Sequence, residues 1–193
     1  EAPPVHPMRA AITLPDHGAA HARLMQRLPD WHVLIALLRD GFSTQSQGGA
    51  VRLRGDGSAE LDYPFSDYLW DGVRRAMTSM AQLQFAAGAT SVIPVHARGA
   101  EFRDVESAQR AIAGFALAPR ITPVVSAHVM GGAAFGADPS TSVVALDGRH
   151  HHLANLHVMD GSLFPTSIGA NPQLSIYAIV ARLADGLAQR LAR

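Results

Sequence analysis

The stretch DGSLFPTSIGANPQ, from Asp160 to Gln173, constrains the fold more than any other part of the chain. An apolar, strand-like run, NLHVM, precedes it, and a helix-periodic run, QLSIYAIVARLADGLAQRL, follows it. Two glycines and two prolines lie between. Glycine reaches backbone conformations that other residues avoid and proline fixes its own, so the chain must turn here. Asn171 is a strong N-cap candidate and Pro172 suits the first helical position, where its missing N–H costs no intrahelical bond. Ile176, Val180, Leu183, Leu187 and Leu191 recur at intervals of four, three, four and four residues, which places one apolar stripe along the final helix. A helix start preceded by glycines also offers N–H groups and a positive dipole end to a flat or anionic ligand, with Gly161 and Gly169 permitting close approach.

Upstream, the segment to about Pro15 carries four prolines and reads as extended. Asp16 to Leu28 reads as a helix, with Asp16 as N-cap and Pro29 as stop. WHVLIALLRDG is a strand candidate. In AVRLRGDGSAELDYPF, Val51 and Leu53 alternate with Arg52 and Arg54 around the turn GDGS, the pattern of a hairpin. A long helix follows, capped by Ser66 or Asp67 and ended by Gly88, with Leu69, Val73, Met77, Met80 and Leu83 on one face. TSVIPVH, ITPVVSAHVMGG, TSVVALDG and NLHVM read as strands, and DVESAQRAIAGFAL as a helix. The expected fold is α+β, with a mixed, largely antiparallel sheet flanked by helices.

At 193 residues, 48% hydrophobic and 17% charged, the chain can bury a core. Sixteen basic residues balance sixteen acidic ones, so no net field draws it to nucleic acid or an anionic membrane. The absence of cysteine excludes disulfides, thiolate catalysis and cysteine-based zinc sites. No signal peptide or spanning segment is visible, and the compartment stays open with the cytoplasm favoured.

His128 lies in an apolar run just before a glycine pair, where a neutral imidazole suits general-base work near neutral pH and equally suits a satisfied core position. His150, His151 and His152 are adjacent, and neighbouring residues on a strand point to opposite faces, so the run is not assigned a metal and none is expected. The sequence contains no GxGxxG, P-loop, GxSxG or HExxH.

The ordered pieces SAHVMGGAAFGADPSTSVV and NLHVMDGSLFPTSIGANPQLSIYAIVARLAD resemble the C-terminal signature of the glucose–methanol–choline oxidoreductases, FAD-dependent enzymes that oxidise alcohols. The wording DGSLFP…GANP is most similar to the cholesterol oxidase and long-chain alcohol oxidase branches. The hairpin and the helix ending in AAGA are similar to the family's substrate domain. The resemblance implies that His128 accepts or hydrogen-bonds the substrate hydroxyl proton, and that Asn171 orients the alcohol oxygen. It implies that Asp160 and Gly161 approach the FAD ribityl-phosphate region, and that Asn171, Pro172 and Gln173 lie at the flavin edge. The implied chemistry is proton removal from the CH–OH group with hydride transfer to flavin N5. The histidine-bearing stretch from His152 to His157, where the family usually has a glycine-containing turn, and Gly132, where many members have threonine, depart from the pattern.

The family's GxGxxG unit for the ADP portion of FAD has no counterpart here, and the chain does not begin with methionine. The expected organisation is therefore residues 1–155 as a substrate (cap) domain portion and 156–193 as the final strand and helix of an FAD-binding domain. The partner is the N-terminal FAD-binding half, and the chain alone is expected not to hold FAD tightly. The alternative is a non-enzymatic module that keeps the fold and binds a partner protein or a hydrophobic ligand.

Overall fold

A computed structural model describes residues 2–46 and 48–192. The chain divides into two compact units, Glu1–Leu38 with Ser66–Val125, and Arg39–Phe65 with Ser126–Arg193.

The first unit is helical. Its opening segment forms α1 (Pro7–Thr13) rather than an extended arm, because His6 caps it by accepting from the Met8 N–H and Pro7 sits in the first turn. α2 spans Gly18–Gln26 and is preceded by His17 in the cap position. The expected cap, Asp16, instead takes a left-handed φ of 72° and so stands outside the helix. α3 (Asp67–Ala86) begins as its sequence predicts, with the Ser66 hydroxyl accepting from the Leu69 N–H. It ends at Gly88, whose φ of +94° would strain any residue with a Cβ. α4 (Val105–Ala113) is capped by Asp104, whose carboxylate accepts from Ser107.

Buried residues on α3 and α4 meet in a core of Ala81, Ala108, Ile112 and Phe115, with Met77 and Phe85 packed against it. Leu69 and Val73 are buried as expected, but Leu83 is 60% exposed. The inward row continues from Leu69, Val73 and Met77 through Ala81 and Phe85, so the first three expected positions hold and the row departs from the expected one after Met77. Arg74 on α3 reaches across to donate to the carbonyls of Ile112, Ala113 and Phe115, satisfying the end of α4. His96 stacks on Phe115 with ring centroids 4.1 Å apart and is pinned by bonds to Ala116 O and the Arg98 N–H.

The run WHVLIALLRDG does not form a strand. At one end His32 bonds Gln84, and at the other the Leu38 side chain packs at Gly72. Six extended residues cover about 20 Å and twelve helical ones about 18 Å, so this segment lies antiparallel along α3 instead of pairing with a strand.

In the second unit the predicted hairpin is present. β1 (Ala50–Leu53) and β2 (Ala59–Asp62) pair antiparallel, with Val51 opposite Leu61 and Leu53 opposite Ala59. This is the one sheet among the described residues, so the larger antiparallel sheet is not observed. TSVIPVH, in the first unit, makes a single bridge, Val92 to Phe102. TSVVALDG and NLHVM, in the second, are reduced to isolated bridges, Val144 with Phe135 and His150, and His157 with Arg149. ITPVVSAHVMGG makes no ladder, and its Val125 and Val129 are 91% and 70% exposed. TSVIPVH, TSVVALDG and NLHVM have strand-like composition, but among the described residues their pairings stop at single bridges and do not extend into a ladder.

The second unit's core is Val144, Leu163 and Leu183, with Phe135, Val158 and Ile179 against it. Leu183 comes from α5 (Gln173–Leu191), whose apolar stripe turns inward at Ile179 and Leu183 while Leu191 is 78% exposed.

Candidate functional site

The crossing from Asp160 to Gln173 begins with a short 3-10 turn, Gly161–Leu163. Asp160 fixes its start: the carboxylate accepts from the Ser162 hydroxyl and backbone N–H at 2.5 and 2.7 Å. Those two bonds hold the Asp160 carboxyl below the usual carboxylate range. Leu163, fully buried, anchors the turn in the core.

The segment after His128 lies against this turn. The Ala133 N–H donates to Ser162 O and the Phe135 N–H to Leu163 O, both at 3.1 Å. A Cβ on Gly161 would stand 3.0 Å from the Val129 carbonyl oxygen and 3.2 Å from Ile176 Cδ1. Gly161 is therefore the point where the His128 segment, the Asp160 turn and the first turn of α5 meet. His128, one residue before Val129, is half-buried, and Asn171 is exposed.

The start of α5 differs from its sequence expectation. Pro172 occupies the cap position with φ −86° and ψ −3°, and its carbonyl accepts from the Ile176 N–H. Because the proline already has near-helical angles, the boundary lies one residue beyond the expected Asn171 cap. Pro172 itself makes no side-chain cap bond. Gln173 is exposed and donates to the Tyr177 hydroxyl one turn on, at 2.8 Å. The start of this 19-residue helix carries the positive dipole end and backbone N–H groups that suit an electron-rich or anionic ligand.

Gly169, with φ +72°, is approached by protein: a Cβ there would lie 2.8 Å from Phe42 Cζ and 3.4 Å from Arg39 Nε. Packing therefore requires glycine at both Gly161 and Gly169, and any cofactor role at Gly161 rests on backbone groups. The Arg39–Phe42 turn over Gly169 was not legible in sequence, since its only signal is a charged pair closing an apolar run. It is fastened by Thr166, whose hydroxyl donates to Gly41 O at 3.1 Å, and by Tyr63, whose hydroxyl donates to Asp40. Partial burial, and then the Asp40 carboxylate, push the Tyr63 hydroxyl up to about 12.

The histidine run disperses. His151 Nε2 meets the Ser142 hydroxyl at 2.9 Å, and His150 Nδ1 accepts from the His152 N–H at 3.1 Å. Ser142 and His151 are not a nucleophilic pair, because the Ser142 proton is committed to the Asp138 carbonyl at 2.6 Å. Among the described residues no group of three or more His, Asp or Glu could hold a metal ion, and no helix is long and apolar enough to cross a membrane.

Against known proteins, the GMC oxidoreductase C-terminal family model matches residues 44–180. An uncharacterised GMC-type oxidoreductase of Mycobacterium tuberculosis is 28% identical over 96% of this chain and 28% of its own length. A long-chain-alcohol oxidase of Arabidopsis thaliana is 27% identical over 76% of this chain and 20% of its own length. A cholesterol oxidase of Acinetobacter baumannii is 40% identical over 30% of this chain and 10% of its own length. The chain thus spans less than a third of the length of these curated relatives. With the family match running from just before the hairpin, across the Asp160–Gln173 crossing and into α5, the chain belongs to the GMC oxidoreductase family.

Proposed function

We propose that the chain is the C-terminal, substrate-side part of an FAD-dependent alcohol oxidase or dehydrogenase. In this reading residues 1–155 are part of the substrate domain, and 156–193 complete an FAD-binding domain whose GxGxxG half lies elsewhere in the enzyme. The observation that carries the reading is the convergence at Gly161 of the His128 segment, the Asp160 turn and the start of α5.

His128 takes the hydroxyl proton of the alcohol, since an imidazole nitrogen has a lone pair to accept it and the neighbouring Val129 carbonyl packs on Gly161. Asn171 donates a carboxamide N–H to the alcohol oxygen and orients the carbinol carbon. Asp160, Gly161, Asn171, Pro172 and Gln173 form the face against the cofactor, with the α5 N-terminus favouring negative charge. When bound, FAD supplies the electron acceptor for the carbinol hydrogen.

The test is anaerobic addition of primary and secondary alcohols to the flavin-loaded, full-length enzyme. Bleaching of the flavin band near ~450 nm supports the reading; a flavin that no alcohol bleaches overturns it. The 193-residue chain purified alone is expected to carry no stoichiometric flavin.

A further inference from the structure

We propose that Thr166 and Tyr63 are positioning residues for this reaction: through the Arg39–Phe42 turn they hold the backbone that sets where Asn171 stands. The inference rests on the reading above, in which Asn171 orients the alcohol oxygen.

Between Leu163 and Gln173 the crossing forms no helix or strand. The place of Asn171 therefore depends on what its connecting backbone leans against. The Arg39–Phe42 turn touches that backbone at Thr166, Ser167 and Gly169, all within five residues of Asn171. The Thr166 hydroxyl donates to Gly41 O at 3.1 Å. A Cβ on Gly41 would overlap that hydroxyl and stand 3.4 Å from the Ser167 nitrogen. At Gly169, held at a left-handed φ of +72°, a Cβ would lie 2.8 Å from Phe42 Cζ. The turn is fixed on its other side by Asp40, which accepts from the Tyr63 hydroxyl, and Tyr63 directly follows β2 of the hairpin. Asp40 Oδ1 is buried with no hydrogen-bond partner among the described residues, so a charge-assisted bond from Tyr63 holds a half-satisfied carboxylate. Filling space here needs neither a carboxylate nor a hydroxyl. Fixing the turn in one position does, because hydrogen bonds weaken steeply when their geometry is disturbed. Losing either hydroxyl frees the turn and lets the Thr166–Gly169 backbone drift. A misplacement of about 1 Å at a reacting group can cost about 10²-fold in rate.

The experiment uses the full-length, flavin-loaded enzyme with Thr166→Val, Thr166→Ser and Tyr63→Phe, each made alone and together with Asn171→Ala. Two quantities are read. One is the rate of anaerobic flavin reduction at a saturating concentration of the alcohol that bleaches wild type fastest. The other is the affinity for a tertiary alcohol, which has no carbinol hydrogen to lose, followed by its perturbation of the flavin spectrum. Thr166→Val and Tyr63→Phe should each slow reduction roughly tenfold or more and weaken tertiary-alcohol binding, while Thr166→Ser keeps most of both. On the Asn171→Ala background the same substitutions should cost less than about twofold, because the group they position is already gone. Thr166→Val and Tyr63→Phe enzymes that reduce flavin at the wild-type rate overturn the inference, whatever their melting temperature. Equal losses with and without Asn171 also overturn it, and in both cases alcohol oxidation stands. Tyr63→Phe removes a single hydroxyl and acts from the other side of the turn, so it decides the question if Thr166→Val does not fold. An Asn171→Ala enzyme with wild-type reduction overturns the inference as well, and wild type whose flavin no alcohol reduces overturns both readings.

Discussion

The carbonyl oxygen of Val129 faces Gly161 so closely that a side-chain carbon there would stand 3.0 Å away. The same atom would stand 3.2 Å from Ile176 Cδ1. One neighbour is backbone and cannot rotate aside, so Gly161→Ala must shift either the His128 segment or the start of α5. The expected cost is about 1–3 kcal/mol of stability, the range for an overfilled site. Urea unfolding of the variant measures it, and wild-type stability would show that the two segments are not so tightly apposed.

Leu163 is fully buried with Val144 and Leu183. Truncating it removes a large side chain from the centre of the second unit and should cost about 2–5 kcal/mol. Ile112→Val, in the first unit's core, removes one methyl group and should cost about 0.5–1.5 kcal/mol. Chemical denaturation of each variant checks both magnitudes.

Arg74 donates to three carbonyls at and beyond the end of α4, which belong to Ile112, Ala113 and Phe115. Arg74→Met keeps the aliphatic stem but removes the donor to Ala113 O and Phe115 O, while Ile112 O keeps the Phe115 N–H, and should cost about 1–3 kcal/mol. Arg74→Lys should recover little, because a compact ammonium lacks the planar fork that reaches several carbonyls at once. Amide hydrogen exchange should show the last turn of α4 losing protection in both variants.

Tyr63 loses its proton less readily in the folded chain, with its hydroxyl pushed from 10.0 to about 12 by burial and by Asp40. A raised acid of this kind adds stability that is fully present below its unfolded value. That contribution disappears as pH rises from about 10 toward about 12. Tyr63→Phe should therefore flatten the loss of stability in that window while leaving other alkaline effects in place. Asp160 behaves in the opposite sense: its lowered carboxyl contributes above the ordinary carboxylate range and loses that contribution as pH falls through it. Asp160→Asn should remove that part of the acid dependence, as read by stability measured across the acid range.

The elements visible in sequence were those specified by local chemistry. The GDGS hairpin, the Ser66 cap, the Asp104 helix and the α5 stripe each depend on residues within a few positions of one another. Some failures were local, at the caps of α1, α2 and α5, and the larger ones were non-local. WHVLIALLRDG has a strand's composition, but His32 and Leu38 tie it along α3. ITPVVSAHVMGG has the same composition and no edge to pair with. At the site, His128, Asp160 and Asn171 were singled out by sequence, and the packing of the His128 segment on Gly161 brings their segments together. The Arg39–Phe42 turn was invisible, because nothing local foretells that residues more than a hundred positions apart will meet at Gly169.

The central claim is that His128 takes the alcohol proton. Anaerobic stopped-flow reduction of the bound flavin in the full-length enzyme and its His128→Gln variant tests it most directly. The account predicts that the variant keeps its flavin and its melting temperature and reduces the flavin roughly 10²–10⁴-fold more slowly. A His128→Gln enzyme that reduces its flavin as fast as wild type contradicts it.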